Sequence, residues 1–279
     1  MMNIRLPVVA GMFYSSDPEH LKEQIEACFR HPLGPKDLKR KEFAAAIVPH
    51  AGYPYSGPVA AWVYSIVEKA NYILLGPNHT GLGPEFSLMK SGLWKTPLGE
   101  IIIDFNMSEK LLKACDMLES DFLAHEKEHS IEVQLPFLQF KYGSDFKIVP
   151  ICILNEMADE ELLDKCVKLG KCIASVVKKL KEKWILIATS DFSHYVPQEI
   201  AKKVDKKVIK KILEMDEVGF FEEINKNNAS VCGYGPIAVA ISYAKHMGCK
   251  KAELLKYATS GDAVGDFGSV VGYASIIFR

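Results

Sequence analysis

The sequence predicts an α/β protein with a mostly parallel sheet, in a single domain over residues 1–279. Short apolar runs typical of buried strands alternate with segments whose apolar residues recur at helical spacing, which is the pattern of this fold class. A chain of 279 residues, 48% of them hydrophobic, can bury a large core. No Gly/Ser linker or internal repeat divides the chain, and the candidate site described below takes residues from positions 50 to 232. We therefore expect one domain.

Seven apolar runs predict the strands. They cover residues 43–48, 72–75, 101–105, 147–154, 184–188, 254–258 and 269–278. Helical patterns lie between most of them, at residues 17–29, 56–67, 108–118, 159–180, 199–213 and 237–246. The first helix has the clearest start, because Asp17 can cap it and Pro18 suits its first turn. Helices that connect strands favour parallel pairing, so most of the sheet is expected to be parallel.

Composition and charge argue against several classes of partner. The formal net charge of −1 gives no electrostatic reason to expect nucleic acid or an anionic membrane. No stretch reaches the roughly 18 apolar residues of a membrane span, and residues 1–14 lack the apolar core of a signal peptide. We therefore expect a cytoplasmic protein. The seven cysteines include no Cys-x-x-Cys pair, which argues against a disulfide framework and indicates mostly buried packing residues.

Three polar segments that contain histidine each follow an apolar run, and together they predict a site. They are Pro49-His50-Ala51, Gly76-Pro77-Asn78-His79 and Ser190-Asp191-Phe192-Ser193-His194. Ligands of open parallel sheets bind beyond the carboxyl ends of the strands, so these segments should meet at one rim, with groups that bind metals or transfer protons. The alternatives are structural, because His50 alone could be a core residue and Asp191 could simply cap a helix.

A cysteine could complete this site. Cys232 lies just before a predicted helix whose first turn contains Pro236. The helix dipole there favours a thiolate, which is a metal ligand or a nucleophile. An equally good interpretation is that Cys232 is simply a small residue packed beside a glycine turn.

Four further residues are candidates for the pocket. His129 and Glu132 lie three residues apart at the head of a predicted helix, where they would line the pocket or orient metal-bound imidazoles. Glu132 could instead only complement the helix dipole. Asn78 and Tyr53, in the segments beside the first two histidines, are assigned to the pocket or to its supporting contacts.

Taken together, these segments resemble those of the Memo family across nearly the whole chain. The motifs are Gly11-Met12-Phe13-Tyr14, Pro49-His50-Ala51-Gly52-Tyr53 with Tyr55-Ser56-Gly57, Gly76-Pro77-Asn78-His79, His129-Ser130-Ile131-Glu132 with Leu135-Pro136, Ser190-Asp191-Phe192-Ser193-His194, and Cys232-Gly233 with Pro236-Ile237. The resemblance implies a single αβα sandwich similar to the class III extradiol ring-cleaving dioxygenases. It also implies a metal site on His50, His79 and Cys232, with Asp191 and His194 close by.

This ligand set implies a metal that accepts sulfur. Iron or copper is expected, with zinc as a further option, because a thiolate disfavours magnesium and calcium. His194 is the candidate general acid or base, since histidine titrates near neutral pH, and Asp191 would orient it.

Two classes of function follow from these expectations. The first is a metal-dependent redox or oxygen-using enzyme that acts on an unknown small molecule. The second is a non-catalytic module that binds a peptide or another partner in the same pocket. The resemblance also implies association with a radical SAM companion protein. Other enzyme classes lack their motifs, because the chain has no Gly-x-Ser-x-Gly elbow and no phosphate-binding glycine loop.

Overall fold

The computed structural model describes residues 3–35 and 41–279. Within these ranges one sheet contains twelve strands: β1 (Ile4–Arg5), β2 (Ala45–Val48), β3 (Asn71–Pro77), β4 (Phe86–Leu88), β5 (Leu93–Thr96), β6 (Gly99–Ile103), β7 (Glu119–Ser120), β8 (Lys147–Ile153), β9 (Trp184–Thr189), β10 (His194–Val196), β11 (Ala252–Thr259) and β12 (Val270–Phe278). The same residues form the helices α1 (Pro18–Arg30), α2 (Tyr53–Ile66), α3 (Phe105–Ala114), α4 (Leu123–Glu126), α5 (Leu135–Tyr142), α6 (Glu160–Val177), α7 (Gln198–Leu213), α8 (Glu217–Asn227), α9 (Tyr234–Met247) and α10 (Ser260–Val264), with a 3-10 turn at Glu132–Gln134.

The centre of the sheet is parallel. The strand order is β1-β5-β6-β8-β3-β9-β2-β12-β10, and the four pairings from β6 to β2 are all parallel. The antiparallel pairs join β5 to β6, β4 to β8, and β12 to β2, β10 and β11. The carboxyl ends of β2, β3, β8 and β9 therefore meet at one rim of the sheet.

Both faces of the central strands are buried. In β3, Ile73 and Leu75 belong to a core with residues of α6 and α9, whereas Tyr72 and Leu74 belong to a core with residues of α1 and α2. Strands covered on both faces need apolar residues throughout, which explains why they read as continuous apolar runs rather than alternating ones. The mixed α/β fold, with helices on both sides of a mostly parallel sheet, is confirmed.

Several boundaries differ from the prediction. The strand predicted at residues 101–105 ends at Ile103, because Asp104 caps α3 by accepting a hydrogen bond from the backbone N–H of Met107 at 2.8 Å. Asp17 caps α1 as expected. The sequence does not predict β1, β4 and β7, because strands of two or three residues carry no usable periodicity. The assignment of residues 1–279 to one domain stays a prediction.

One disulfide bond departs from the expectation for the cysteines. Cys115, after α3, is bonded to Cys172 in α6 across 57 residues of sequence. Three other cysteines, Cys28, Cys152 and Cys166, are buried free thiols, as expected for packing residues. Across residues 3–35 and 41–279, no helix combines the length and the apolar character needed to cross a membrane.

Candidate metal-binding site

Three histidines from three different segments converge at the rim. His50 follows β2, His79 follows β3, and His129 lies just before the 3-10 turn. One ligand atom from each lies within 4.8 Å of those of the other two, so the group could hold a metal ion. The ring centroids are 4.9 to 5.7 Å apart. The sequence places His129 only among the pocket or supporting residues, whereas the structure sets it beside the other two imidazoles.

His50 is buried and fixed at both its backbone and its ring. Its backbone N–H donates to Oδ1 of Asp191 at 2.9 Å, and its Nδ1 lies 2.9 Å from Oγ1 of Thr189. This contact leaves Nε2 available toward the rim, where it lies 3.2 Å from Sγ of Cys232. Burial, together with the charge of neighbouring histidines, holds the pKa of His50 well below its ordinary value. The ring is therefore neutral, which is the form that binds metals.

His79 is held by a buried carboxylate. Its backbone N–H and its Nδ1–H donate to the two oxygens of Glu128, at 2.6 and 2.9 Å. Burial alone would lower the pKa of His79, but the hydrogen bond and charge of Glu128 outweigh it and raise the pKa. Burial opposes ionisation of Glu128, yet its bonds with His79 and the charge of His129 bring the pKa of the carboxyl down to about 2. Glu128 is thus an anionic acceptor that leaves Nε2 of His79 free.

His129 shares the same carboxylate. Its backbone N–H donates to Oε1 of Glu128 at 2.9 Å, and its Nδ1 lies 3.5 Å from the same oxygen. The ring of Phe13 packs edge-on against the His129 ring, with centroids 5.0 Å apart. Burial lowers the pKa of His129, so this ring also favours the neutral form.

Cys232 lies beside the three-histidine group but outside it. Its Sγ approaches His50 and accepts a hydrogen bond from the backbone N–H of Asp191 at 3.2 Å. The side-chain amide of Asn155 donates to the Cys232 carbonyl at 2.7 Å and fixes the turn before α9. Burial raises the pKa of Cys232 and the charge of Asp191 raises it further. In the absence of a metal, burial therefore favours the neutral thiol over the thiolate that the helix dipole would favour.

Asp191 and His194 have separate partners. Asp191 follows β9 in a loop rather than at a helix start, so the helix-cap alternative is wrong, and its carboxylate holds the backbone of His50. Burial raises the pKa of Asp191 to about 6. The Nδ1–H of His194 donates to the carbonyl of Ser230 at 2.6 Å. Within residues 3–35 and 41–279 no hydrogen bond joins Asp191 to His194, so Ser230 orients this imidazole.

The remaining predicted pocket residues have structural contacts. The Tyr53 hydroxyl donates to the Val133 carbonyl at 2.7 Å, from within the apolar core. Asn78 shapes its own loop, because its Nδ2 donates to the Leu82 carbonyl at 2.6 Å. Glu132 accepts hydrogen bonds from the N-terminal part of the chain, including the Val8 N–H at 2.9 Å.

Sequence reasoning missed the supporting residues Glu128, Thr189, Asn155 and Ser230. Glu128 follows two charged residues in Glu126-Lys127-Glu128, a run that is typical of a solvated surface. Its position directly before His129 is the sequence feature that could have indicated a supporting role for Glu128. The other three are polar residues at strand ends or turns, where ordinary turn chemistry explains them equally well.

The donor set fits a transition metal. Ligand atoms around a tetrahedral ion of zinc size lie about 3.3–3.6 Å apart, given bonds of roughly 2.0–2.3 Å. The ligand atoms of the histidines lie within 4.8 Å of one another, so side-chain rotations would be needed wherever a separation exceeds that range. Imidazole ligands with an adjacent sulfur suit zinc, copper and iron better than magnesium or calcium.

Comparisons with known proteins agree with the motifs. Residues 5–277 match the family model described as Memo-like protein. The chain is 46% identical to a MEMO1 family protein of Methanopyrus kandleri and 45% identical to one of Pyrobaculum aerophilum, with 99% of each chain covered in both cases. A crystal structure of the uncharacterized protein JW3007 from Escherichia coli K12 is similar in fold, with a TM-score of 0.57 and 13% identity over 85% of this chain and all of that one.

Proposed function

The chain belongs to the Memo-like protein family, and we propose that His50, His79 and His129 bind one transition-metal ion at the rim of the sheet. The observation that carries the proposal is the shared arrangement of the three rings. Each Nδ1 faces an oxygen of Thr189 or Glu128, at 2.9 to 3.5 Å. Oxygen partners at one ring nitrogen fix the other nitrogen as the metal ligand, as is usual for metal-binding histidines.

We propose iron or copper as the metal, with zinc as the alternative. The Cys232 sulfur beside His50 supports this choice, because binding to a metal favours loss of the thiol proton and a soft ligand suits these ions. Bound iron or copper would supply redox chemistry with oxygen to a small substrate, whereas zinc would act as a Lewis acid. His194 is the proposed general acid or base, since its Nδ1 is tied to Ser230 and its Nε2 is left for proton transfer.

Binding of a peptide or other partner without catalysis is the second candidate function. Its support is the exposed apolar surface beside the histidines. Tyr195 follows His194 and is 77% exposed, and Met12, next to the Phe13 that packs on His129, is 72% exposed. Exposed apolar residues next to a pocket are typical of binding surfaces. Association with a radical SAM companion remains a proposal from the family resemblance.

Elemental analysis tests the metal proposal. Protein purified under reducing, oxygen-free conditions should contain close to one equivalent of iron, copper or zinc, and a His79→Ala variant should contain far less. His246→Ala is the matched control, because this exposed histidine lies at the end of α9. Metal content in the His79→Ala variant equal to that of the parent would contradict the proposal.

A further inference from the structure

We infer that the N-terminal segment (residues 5–14) positions the three-histidine site, and that it does so through Arg5. The inference rests on the proposed function, since it concerns the same metal site. None of these residues would bind the metal. Their role would be to hold the chain that carries His129 and Glu128 in register with His79.

Arg5 is a buried cation whose hydrogen bonds reach that chain. Its side chain is almost fully inaccessible, and its guanidinium lies 4.5 Å from the centroid of the Trp94 ring. Its Nε donates to the carbonyl of His125 at 3.1 Å, and Nη2 donates to the carbonyl of Glu128. The remaining nitrogen, Nη1, forms an ion pair with Glu132. The planar guanidinium of Arg5 therefore binds this chain at three positions, His125, Glu128 and Glu132.

Glu132 connects the rest of the N-terminal segment to the same place. Its carboxylate accepts hydrogen bonds from the backbone N–H groups of Val8 and Val9, at 2.9 and 3.1 Å, and from the hydroxyl of Tyr14. The carboxylate is fully buried, so these donors and Arg5 supply its solvation.

Glu128 links this arrangement to the ligands. Arg5 holds its backbone carbonyl, while its carboxylate binds His79 and the backbone of His129. A shift of the Arg5 contact would therefore move both imidazoles.

The segment touches the site at two further points. Phe13 packs against the His129 ring, and its carbonyl accepts a hydrogen bond at 2.8 Å from the N–H of Tyr53, three residues after His50. The N-terminal segment thus contacts the regions that carry His50 and His129 directly and reaches His79 through Glu128.

A buried ion pair adds little net stability, because the cost of desolvating both charges offsets their attraction. This small gain in stability suggests that the role of Arg5 is to position the chain, and the shape of its side chain supports the same role. Lysine would keep the charge but lose the planar fork that reaches the His125 and Glu128 carbonyls together with Glu132.

The test is a titration of metal-free protein with Co²⁺ alone, in which binding is measured by the visible absorption of the bound ion. Arg5→Lys should bind Co²⁺ about 10-fold or more weakly than the parent, the usual range for groups that support metal ligands. Ile173→Ala is the control for lost stability, since Ile173 is buried in α6 in the core on the other face of the sheet. Urea unfolding of each metal-free variant should show that both destabilise the fold, whereas Ile173→Ala should keep the parental Co²⁺ affinity.

A folded Arg5→Lys protein with parental Co²⁺ affinity would overturn the inference while leaving the proposed function intact. A parent that binds no Co²⁺ would overturn both. If Arg5→Lys does not fold, Phe13→Ala replaces it, because Phe13 is only half-buried and packs on His129. Weaker binding by Phe13→Ala supports the inference, and parental affinity overturns it.

Discussion

Glu128 accepts the Nδ1–H of His79 at 2.9 Å from a position that solvent does not reach. The same carboxylate accepts the backbone N–H groups of His79, His129 and Ser130. A single buried anion therefore fixes the tautomer of one candidate ligand and the backbone of another. Such supporting carboxylates raise the basicity of the imidazole and hold its orientation.

Removing the charge of Glu128 should weaken metal binding. Glu128→Gln keeps the shape but replaces an anionic acceptor with a neutral amide, so we expect a loss of about 10- to 100-fold in Zn²⁺ affinity by competition with a chelating dye. Glu126→Gln is the matched control, because this glutamate is two residues away and exposed. Equal affinities for the two variants would contradict the role given to Glu128.

The Cys232 sulfur should join the metal. Sγ lies 3.2 Å from the Nε2 of His50, and binding to a metal would offset the burial that keeps the thiol protonated. Co²⁺-loaded parent should show a thiolate charge-transfer band that Cys232→Ala lacks, while the variant still binds Co²⁺ through the histidines. Cys249→Ala, which removes a half-buried free thiol elsewhere, should keep the band. Absence of the band in the parent would exclude Cys232 from the ligand set.

His125 should make the fold less stable in acid. Burial lowers its pKa from 6.5 to about 4. Between these values the unfolded chain holds a proton here that the folded protein does not, so stability falls as the pH falls through this window. At about 1.4 kcal/mol per pKa unit, the loss is about 3 kcal/mol.

The measurement is urea unfolding of metal-free protein between pH 4 and 7. His125→Gln keeps a donor near the Ser87 carbonyl, which lies 3.1 Å from Nε2 of His125, but does not titrate. Its stability should therefore fall less steeply in acid than that of the parent. His20→Gln should follow the parent, because the His20 side chain is 74% exposed in the folded protein. An unchanged slope for His125→Gln would refute the assignment.

The Cys115–Cys172 bond should stabilise the fold. It connects the end of α3 to α6, and loss of a crosslink of this kind typically costs about 2–4 kcal/mol. Alkylation of the denatured, unreduced protein should modify five cysteines, the free thiols of the structure. Cys172→Ser should lower the urea midpoint, whereas Cys249→Ser should change it little. Modification of all seven cysteines would show that the bond is absent.

The central fold could be read from the sequence because its strands are long and buried on both faces. Runs such as residues 148–154 have no polar interruption, and the helices between them keep a clear apolar spacing. The edge of the sheet could not be predicted in the same way. The pairing of Ile4 and Arg5 with Leu93 and Trp94 depends on tertiary contacts of Arg5, which local sequence does not encode.

The candidate site was predictable where a candidate ligand closely follows a strand. His50 and His79 satisfy that rule, since β2 and β3 are parallel neighbours of β9. His129 comes from a loop whose path depends on Arg5 and Glu132, two residues 127 positions apart in the sequence. No local sequence pattern reveals such a pair. The position of His129 beside the other two histidines could therefore be seen only in the structure.

Anomalous X-ray diffraction from crystals of the metal-loaded protein tests the central claim most directly. We predict one strong peak bound by Nε2 of His50, His79 and His129, at about 2.0–2.1 Å for zinc. A peak that is not bound by these three histidines, or an empty rim in crystals whose protein contains stoichiometric metal, would contradict the three-histidine site, whereas Cys232 as an additional ligand would agree with it.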